Sequence, residues 1–440
     1  MKNQSSKGKI GFLSVVSMGI GGMVGGGIFA VLGLAVQLAH GATPIAFAIA
    51  GLVALLTAYS YAKLSVAYPS QGGTVEFLNQ AFGEGIITGG LNVLLWLSYV
   101  VMLSLYAYAF GSYGASFFPA AAQPFWRHIL ITVVVLLLAG LNLLGAAAVG
   151  EAEEWIVAIK LIILTLFVVA GLWTINAPRL APASWVSPLQ MISGGMIIFL
   201  AYEGFELIAN AAADVKDYRR TLPRAYYTSV VLVIILYVLV AAVTVGNLPL
   251  AEIARARDYA LAASAKPFLG DFGFVLIAIA ALLSTGSAIN ATLYGASRVS
   301  YIIAKDGELP RELERKIWKQ PAEGLLITSV LTLLVANLFD LSSISVMGSA
   351  GFLLIFAAVN AANVRLHHQT LSRRWISILG AAGCLVALGV LVCQTAASAP
   401  REILVLVLMV GLAFLIEAVY RASTGRAIKC PLRNRKTETS

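Results

Sequence analysis

The sequence predicts an all-α membrane protein of about twelve transmembrane helices. Three observations carry that prediction. Of the 440 residues, 59% are hydrophobic and only 12% are charged, about half the charged share of an ordinary soluble domain. Mean hydropathy is +0.87, and the apolar residues come in long blocks without a polar face, such as 129–144 and 230–245. A helix that is apolar all round needs lipid or protein on every side. The lysines and arginines, finally, fall between the blocks and mostly on alternate sides, as membrane insertion demands.

About 20 apolar residues cross a bilayer. On that measure the spans fall near 10–38, 43–67, 85–115, 127–148, 152–174, 188–213, 224–246, 268–303, 323–339, 341–364, 375–396 and 401–420. The third and eighth are long enough that they must tilt or project past the membrane. The first follows the basic stretch Met1–Lys9 directly. Its length, its glycine content and the lack of a small-residue cleavage site mark it as a retained span, not a removed signal peptide. With a cytoplasmic N-terminus, 23 of the 30 lysines and arginines lie in inner segments. Six lie outside (Arg127, Arg179, Arg255, Arg257, Lys266 and Arg401), and Lys160 alone lies well inside a span. The positive-inside bias therefore places both termini, including the tail 421–440, in the cytoplasm of a plasma or inner membrane. The compact loops point to a prokaryotic source, and no linker divides the chain.

Two spans are interrupted. The first carries Gly19, Gly21, Gly22, Gly25, Gly26 and Gly27, each costing a helix about 1 kcal/mol relative to alanine. Unwinding there exposes N–H groups at the start of a half-helix, a setting that suits a carboxylate. The alternative is tight packing through small residues. A dinucleotide loop fits much less well, because the spacing misses G-x-G-x-x-G by one residue and no βαβ unit surrounds it. The second interruption reads Phe199-Leu200-Ala201-Tyr202-Glu203-Gly204-Phe205-Glu206. Carboxylates inside an apolar span are expensive and usually functional. Glu203 and Glu206 serve either a ligand or pairing with another helix, and Tyr202 is placed to cover a ligand. Five spans separate the interruptions, so the two halves have opposite topology. Paired broken helices of that kind point to the binding site of a secondary transporter. Lys160 lies roughly 13 Å inside its span at 1.5 Å per residue. It is either a proton-binding amine or a side chain reaching back to the interface.

The chain resembles the amino acid–polyamine–organocation permeases over nearly its whole length. Four motifs carry the resemblance: the glycine-rich interruption ending in Ile28-Phe29; Tyr68-Pro69-Ser70-Gln71-Gly72-Gly73 with Ala81-Phe82-Gly83; Phe199–Phe205 continuing to Asp214-Val215-Lys216-Asp217 and Pro223-Arg224-Ala225; and Ser287–Thr292, Gly295–Arg298 and Lys305–Pro310. It implies the inverted five-plus-five helix fold (LeuT-like), with repeat one near 10–174, repeat two near 188–364 and extra helices near 375–420. The resemblance further implies an amino acid or related amine held between the first and sixth helices. Its carboxylate would meet N–H groups near Gly22, Gly25 and Gly26, and its ammonium the carbonyls near Phe199, Ala201 and Tyr202, with Tyr202 as an outer lid. Glu203 leaves side-chain selectivity open: a carboxylate lining the pocket favours cationic substrates, one turned away does not. Lys160 looks like the fifth-helix lysine of the proton-coupled bacterial members, whose amine stands where related symporters bind sodium. Carried over, it would bond carbonyls near Gly19–Gly22 and hydroxyls such as Ser284 or Thr285. Many relatives with this lysine are exchangers, so exchange of amino acids or polyamines stands beside sodium-independent proton symport. Glu76 departs from the family pattern and reads as a solvated loop charge.

Other functions fit less well. The net charge of +9 is spread over short loops without a basic stripe, which argues against nucleic acid. Cys384, Cys393 and Cys430 form no metal or redox spacing. None of His40, His128, His367 and His368 falls in a span near the acids, so an enzyme is not expected. No cofactor is implied, and the sequence does not specify an oligomeric state. A receptor would carry a larger extramembrane domain, and a channel a continuous polar pore.

Overall fold

The computed structural model describes residues 10–83, 85–144, 149–305 and 322–424. The Lys305–Pro310 motif beyond Lys305, many of the inner-segment basic residues, Cys430 and most of the tail lie outside them. The helices are α1 (Phe12–Met23), α2 (Gly27–Ala39), α3 (Thr43–Ala67), α4 (Thr74–Phe82), α5 (Ile86–Ala115), α6 (Gln123–Leu144), α7 (Val149–Leu172), α8 (Pro188–Ile197), α9 (Tyr218–Asn247), α10 (Ala260–Lys305), α11 (Ala322–Leu338), α12 (Leu341–Arg365), α13 (Arg374–Ser398) and α14 (Pro400–Thr424). Among the described residues, ten helical stretches are long and apolar enough to span a membrane, and eleven with the bent pair α1–α2. The expected span at 323–339 is a shorter apolar helix, Glu323–Leu338.

The burial pattern follows from a lipid solvent. Leu136, Ile162, Leu166, Val407, Leu412 and Leu415 are exposed, while Ser60, Asn360, Asn363 and Ser377 are buried. An exposed apolar belt of this size marks a lipid-facing surface. Inside, polar groups act as glue: Ser60 Oγ donates to Asn360 Oδ1 at 2.7 Å, and Asn363 Nδ2 to Ser377 Oγ at 2.8 Å, joining α3, α12 and α13.

The two interruptions differ in kind. α1 and α2 are bent by 41° across Val24–Gly26. The sixth span does not unwind as expected around Gly204. It continues from α8 as nine residues of 3-10 helix, Ile198–Glu206, a long run for that geometry and one that marks strain or a hinge. The eighth span also departs from expectation, because helix begins at Ala260 and is kinked at Gly270 (φ 63°), a conformation that glycine adopts without penalty. Glu76 is no loop charge. It sits in the first turn of α4 and accepts a hydrogen bond from Gln80 Nε2 at 2.8 Å, and burial pushes its carboxyl up from the ordinary value.

Candidate functional site

A helix leaves its last carbonyls without intrahelical partners. At the end of α1, the Val24 N–H closes on Ile20 O at 2.7 Å. The four carbonyls that follow Ile20 each receive a side-chain donor from a different helix. Lys160 Nζ on α7 donates to Gly21 O at 3.1 Å, and Tyr106 on α5 to Gly22 O at 3.3 Å. Tyr237 on α9 donates to Met23 O at 2.5 Å, and Ser284 on α10 to Val24 O at 2.5 Å. The Tyr237 hydroxyl also lies 3.2 Å from Ala201 O, so it ties the two interruptions together. Lys160 is 1% exposed, which discards the interface reading.

The amide end is built differently. Gly26, the N-cap of α2, makes no side-chain capping bond, which leaves a positive helix end beside the bend. Close packing is achieved by leaving out side chains. A Cβ on Gly26 would stand 2.2 Å from Tyr106 Cδ1, and one on Gly27 2.6 Å from Ala201 Cα. At the start of the 3-10 segment, Ser349 on α12 replaces helix bonding. Its hydroxyl donates to Ile197 O at 2.8 Å and lies 3.3 Å from the Leu200 N–H, whose bond it accepts.

This arrangement, two facing helix interruptions in a bundle of apolar spans, can be compared with known proteins. A family model described as amino acid permease matches residues 10–415. The chain belongs to the amino acid permease family. The permease is therefore a multi-pass membrane transporter of amino acids, within the amino acid–polyamine–organocation superfamily. An uncharacterized protein of Methanocaldococcus jannaschii is 42% identical over 386 residues, 87% of each chain. The inner membrane transport protein YbaT of Escherichia coli is 35% identical over 374 residues, 84% of the permease and 86% of that protein. The branched-chain amino acid permease BcaP of Bacillus subtilis is 24% identical over 389 residues, 83% of the permease and 82% of that protein.

Several residues singled out from the sequence come together in the permease. Gly22 packs against Gly204 of the 3-10 segment that carries Phe199, Ala201, Tyr202 and Glu203, whereas Gly25 faces Ala288 on α10 and Gly26 faces Tyr106 on α5. Tyr202 is fully buried, and its hydroxyl donates to Phe47 O at 2.9 Å. Phe199 packs edge-on against Phe356 at 5.8 Å. Glu203 Oε1 lies 3.5 Å from the Tyr106 hydroxyl. Ser284 and Lys160 meet the same turn of α1. Thr285 does not share in that turn through its hydroxyl, which bonds Ala281 O of its own helix at 2.7 Å. Sequence reasoning missed Tyr106, Tyr237 and Ser349. Replacing Tyr237 with phenylalanine keeps the ring and strips the donor from Met23 O and Ala201 O. The loss of one buried donor is worth about 1–3 kcal/mol. The variant is expected to unfold at lower temperature in detergent and to raise KM for uptake more than it lowers the maximal rate.

Proposed function

We propose that the permease is a proton-coupled, sodium-independent amino-acid symporter with both termini in the cytoplasm. The observation that carries the reading is the Lys160 amine, buried and bonded to Gly21 O at 3.1 Å. A fixed amine at the carbonyl end of α1 does the electrostatic work that a sodium ion would do there, and it can take up or give up a proton. The two interruptions occupy corresponding places in two inverted repeats, near 10–174 and 188–364. The substrate carboxylate lies against N–H groups of the first interruption, at Gly22 in the last turn of α1 and at Gly25 and Gly26 just before α2. Its ammonium lies against carbonyls of Phe199, Ala201 and Tyr202. Ala201 O already accepts from Tyr237, and a carbonyl has a second lone pair to offer. Tyr202 closes the site from outside, and α1–α2 with the sixth span rocks against the other helices to open it inward. The 23-to-6 distribution of basic residues supports the orientation, and the name of the YbaT relative supports an inner membrane.

The test is uptake by purified protein in liposomes, screening labelled amino acids with and without an inward proton gradient. Gradient-driven accumulation indifferent to sodium is expected. Uptake only into liposomes preloaded with substrate would replace symport with exchange, with Lys160 as a fixed cation.

A further inference from the structure

Glu203 and Glu206 stand three residues apart on the 3-10 segment, whose three residues per turn stack such positions on one face. Glu203 is 1% exposed and Glu206 is fully buried. Each has one oxygen, Oε2, with no hydrogen-bond partner. Neither is ion-paired to a lysine, arginine or histidine among the described residues. The groups that face the pair are hydroxyls. Tyr61 on α3, Tyr99 and Tyr106 on α5, and Tyr226 and Tyr237 on α9 are the titratable ones, and Thr74 comes from α4. α12 offers Ser349 and Phe356 to the segment, and α1 and α2 offer glycine. Two unpaired negative charges in such a place cannot both persist: buried charge is tolerated when paired, and otherwise the group takes up a proton.

Glu206 is the member placed to exchange that proton. Its Oε1 accepts from Thr74 Oγ1 at 2.9 Å and from the Tyr99 hydroxyl at 3.0 Å. Thr74 is the first residue of α4, and its hydroxyl is bonded in turn to Tyr61 at 2.8 Å. The Tyr68–Gly73 motif therefore delivers α4 onto Glu206. Gln71, in the loop just before α4, has its Nε2 3.4 Å from Asp214 Oδ2, and Asp214 O accepts from the Ile10 N–H at 3.1 Å, so that loop sits where the start of the chain's first span meets the end of the sixth. With the orientation proposed above, on which this inference rests, that is the cytoplasmic side. Water admitted when α4 parts from the 3-10 segment would solvate Glu206, favour its ionised form and accept its proton.

We infer that Glu206 is a second proton-binding residue of the permease, distinct from Lys160, protonated while α4 is seated on it and deprotonated to cytoplasmic water when that side opens. The experiment is infrared difference spectroscopy of the full-length protein in lipid, stepping pH, on the wild type, Glu206→Gln and Lys160→Gln. The amide in Glu206→Gln keeps an oxygen for Thr74 and Tyr99 but cannot titrate. The pH-dependent carboxyl C=O signal of the wild type and of Lys160→Gln is expected to contain a component that Glu206→Gln lacks, the signal of Glu203 and the other carboxyls remaining in all three. Identical carboxyl difference spectra in Glu206→Gln and the wild type overturn the assignment. The readout needs no transport, so it stands apart from a failure of the symport reading. Substrate exchange in liposomes tests the gate. Glu206→Gln should lose the dependence on luminal or external pH at the α4 face that Lys160→Gln retains, and equal dependence in Glu206→Gln and wild type removes the link to opening.

Discussion

Gly204→Ala is expected to abolish transport and to lower the unfolding temperature of the permease, although it adds a single methyl group. A Cβ on Gly204 would stand 2.1 Å from Gly22 C and 2.2 Å from Met23 N, and one on Gly22 would stand 2.7 Å from Gly204 O. These are backbone atoms, so no rotamer change relieves the contact. Overpacking of flexible side chains costs about 1–3 kcal/mol, and a rigid backbone contact lies at or above the top of that range. The strain falls on the seam where α1, at the bend, meets the 3-10 segment. The methyl group therefore has to separate the N–H groups from the carbonyls that together form the proposed site. Uptake should fall to the level of empty liposomes, and substrate should no longer raise the melting temperature. Gly389→Ala is the control. Gly389 lies in α13 and a Cβ there meets nothing within 4 Å. Alanine there favours the helix by about 1 kcal/mol, so transport should be retained. Normal transport by Gly204→Ala would mean that the two interruptions do not need to touch.

That seam was partly legible in the sequence. Clustered glycine inside an apolar block has few explanations, and so does a lone lysine. The bend at Val24–Gly26 and the burial of Lys160 follow from both. The choice between an interruption and tight packing was not legible, and the structure shows why. The same region does both: Gly22 and Gly204 permit backbone contact in the last turn of α1, beside the bend at Val24–Gly26. Tyr237 and Ser349 were not legible either. In a span such as α9, a tyrosine reads as one more core aromatic. Its role depends on Met23 O, a carbonyl orphaned on a helix 214 residues away in sequence. Glu206 was visible as an anomaly, but its partner Thr74 lies 132 residues upstream. The helix type of the sixth span was missed for another reason. Glycine at 204 signals weak helix propensity, whereas the 3-10 winding is set by contacts that α12 and α9 supply, such as the Ser349 hydroxyl between Ile197 O and the Leu200 N–H.

Lys160→Gln should uncouple the permease from the proton gradient without emptying its substrate site. On the proposed reading the amine has two separable tasks. As a donor it satisfies Gly21 O at 3.1 Å, and a buried carbonyl stripped of its donor costs about 1–3 kcal/mol. As an ionisable group it adds or removes a full charge beside the last turn of α1, which a neutral amide cannot do. Lys160→Ala confounds the two, because it removes donor and charge together, whereas Lys160→Gln retains a donor and removes titration. With one proton per substrate, a gradient of one pH unit supports roughly tenfold accumulation, the equivalent of 1.36 kcal/mol. The wild type should approach that ratio with an acidic exterior and lose it when the gradient is collapsed. Lys160→Gln should equilibrate substrate to a ratio of about one at every gradient, while substrate exchange and binding persist. Lys160→Ala should lose stability as well, since Gly21 O then faces an apolar gap. Accumulation by Lys160→Gln that still tracks the gradient would move the coupling proton elsewhere, and the Glu206 carboxyl would be the first place to look for it.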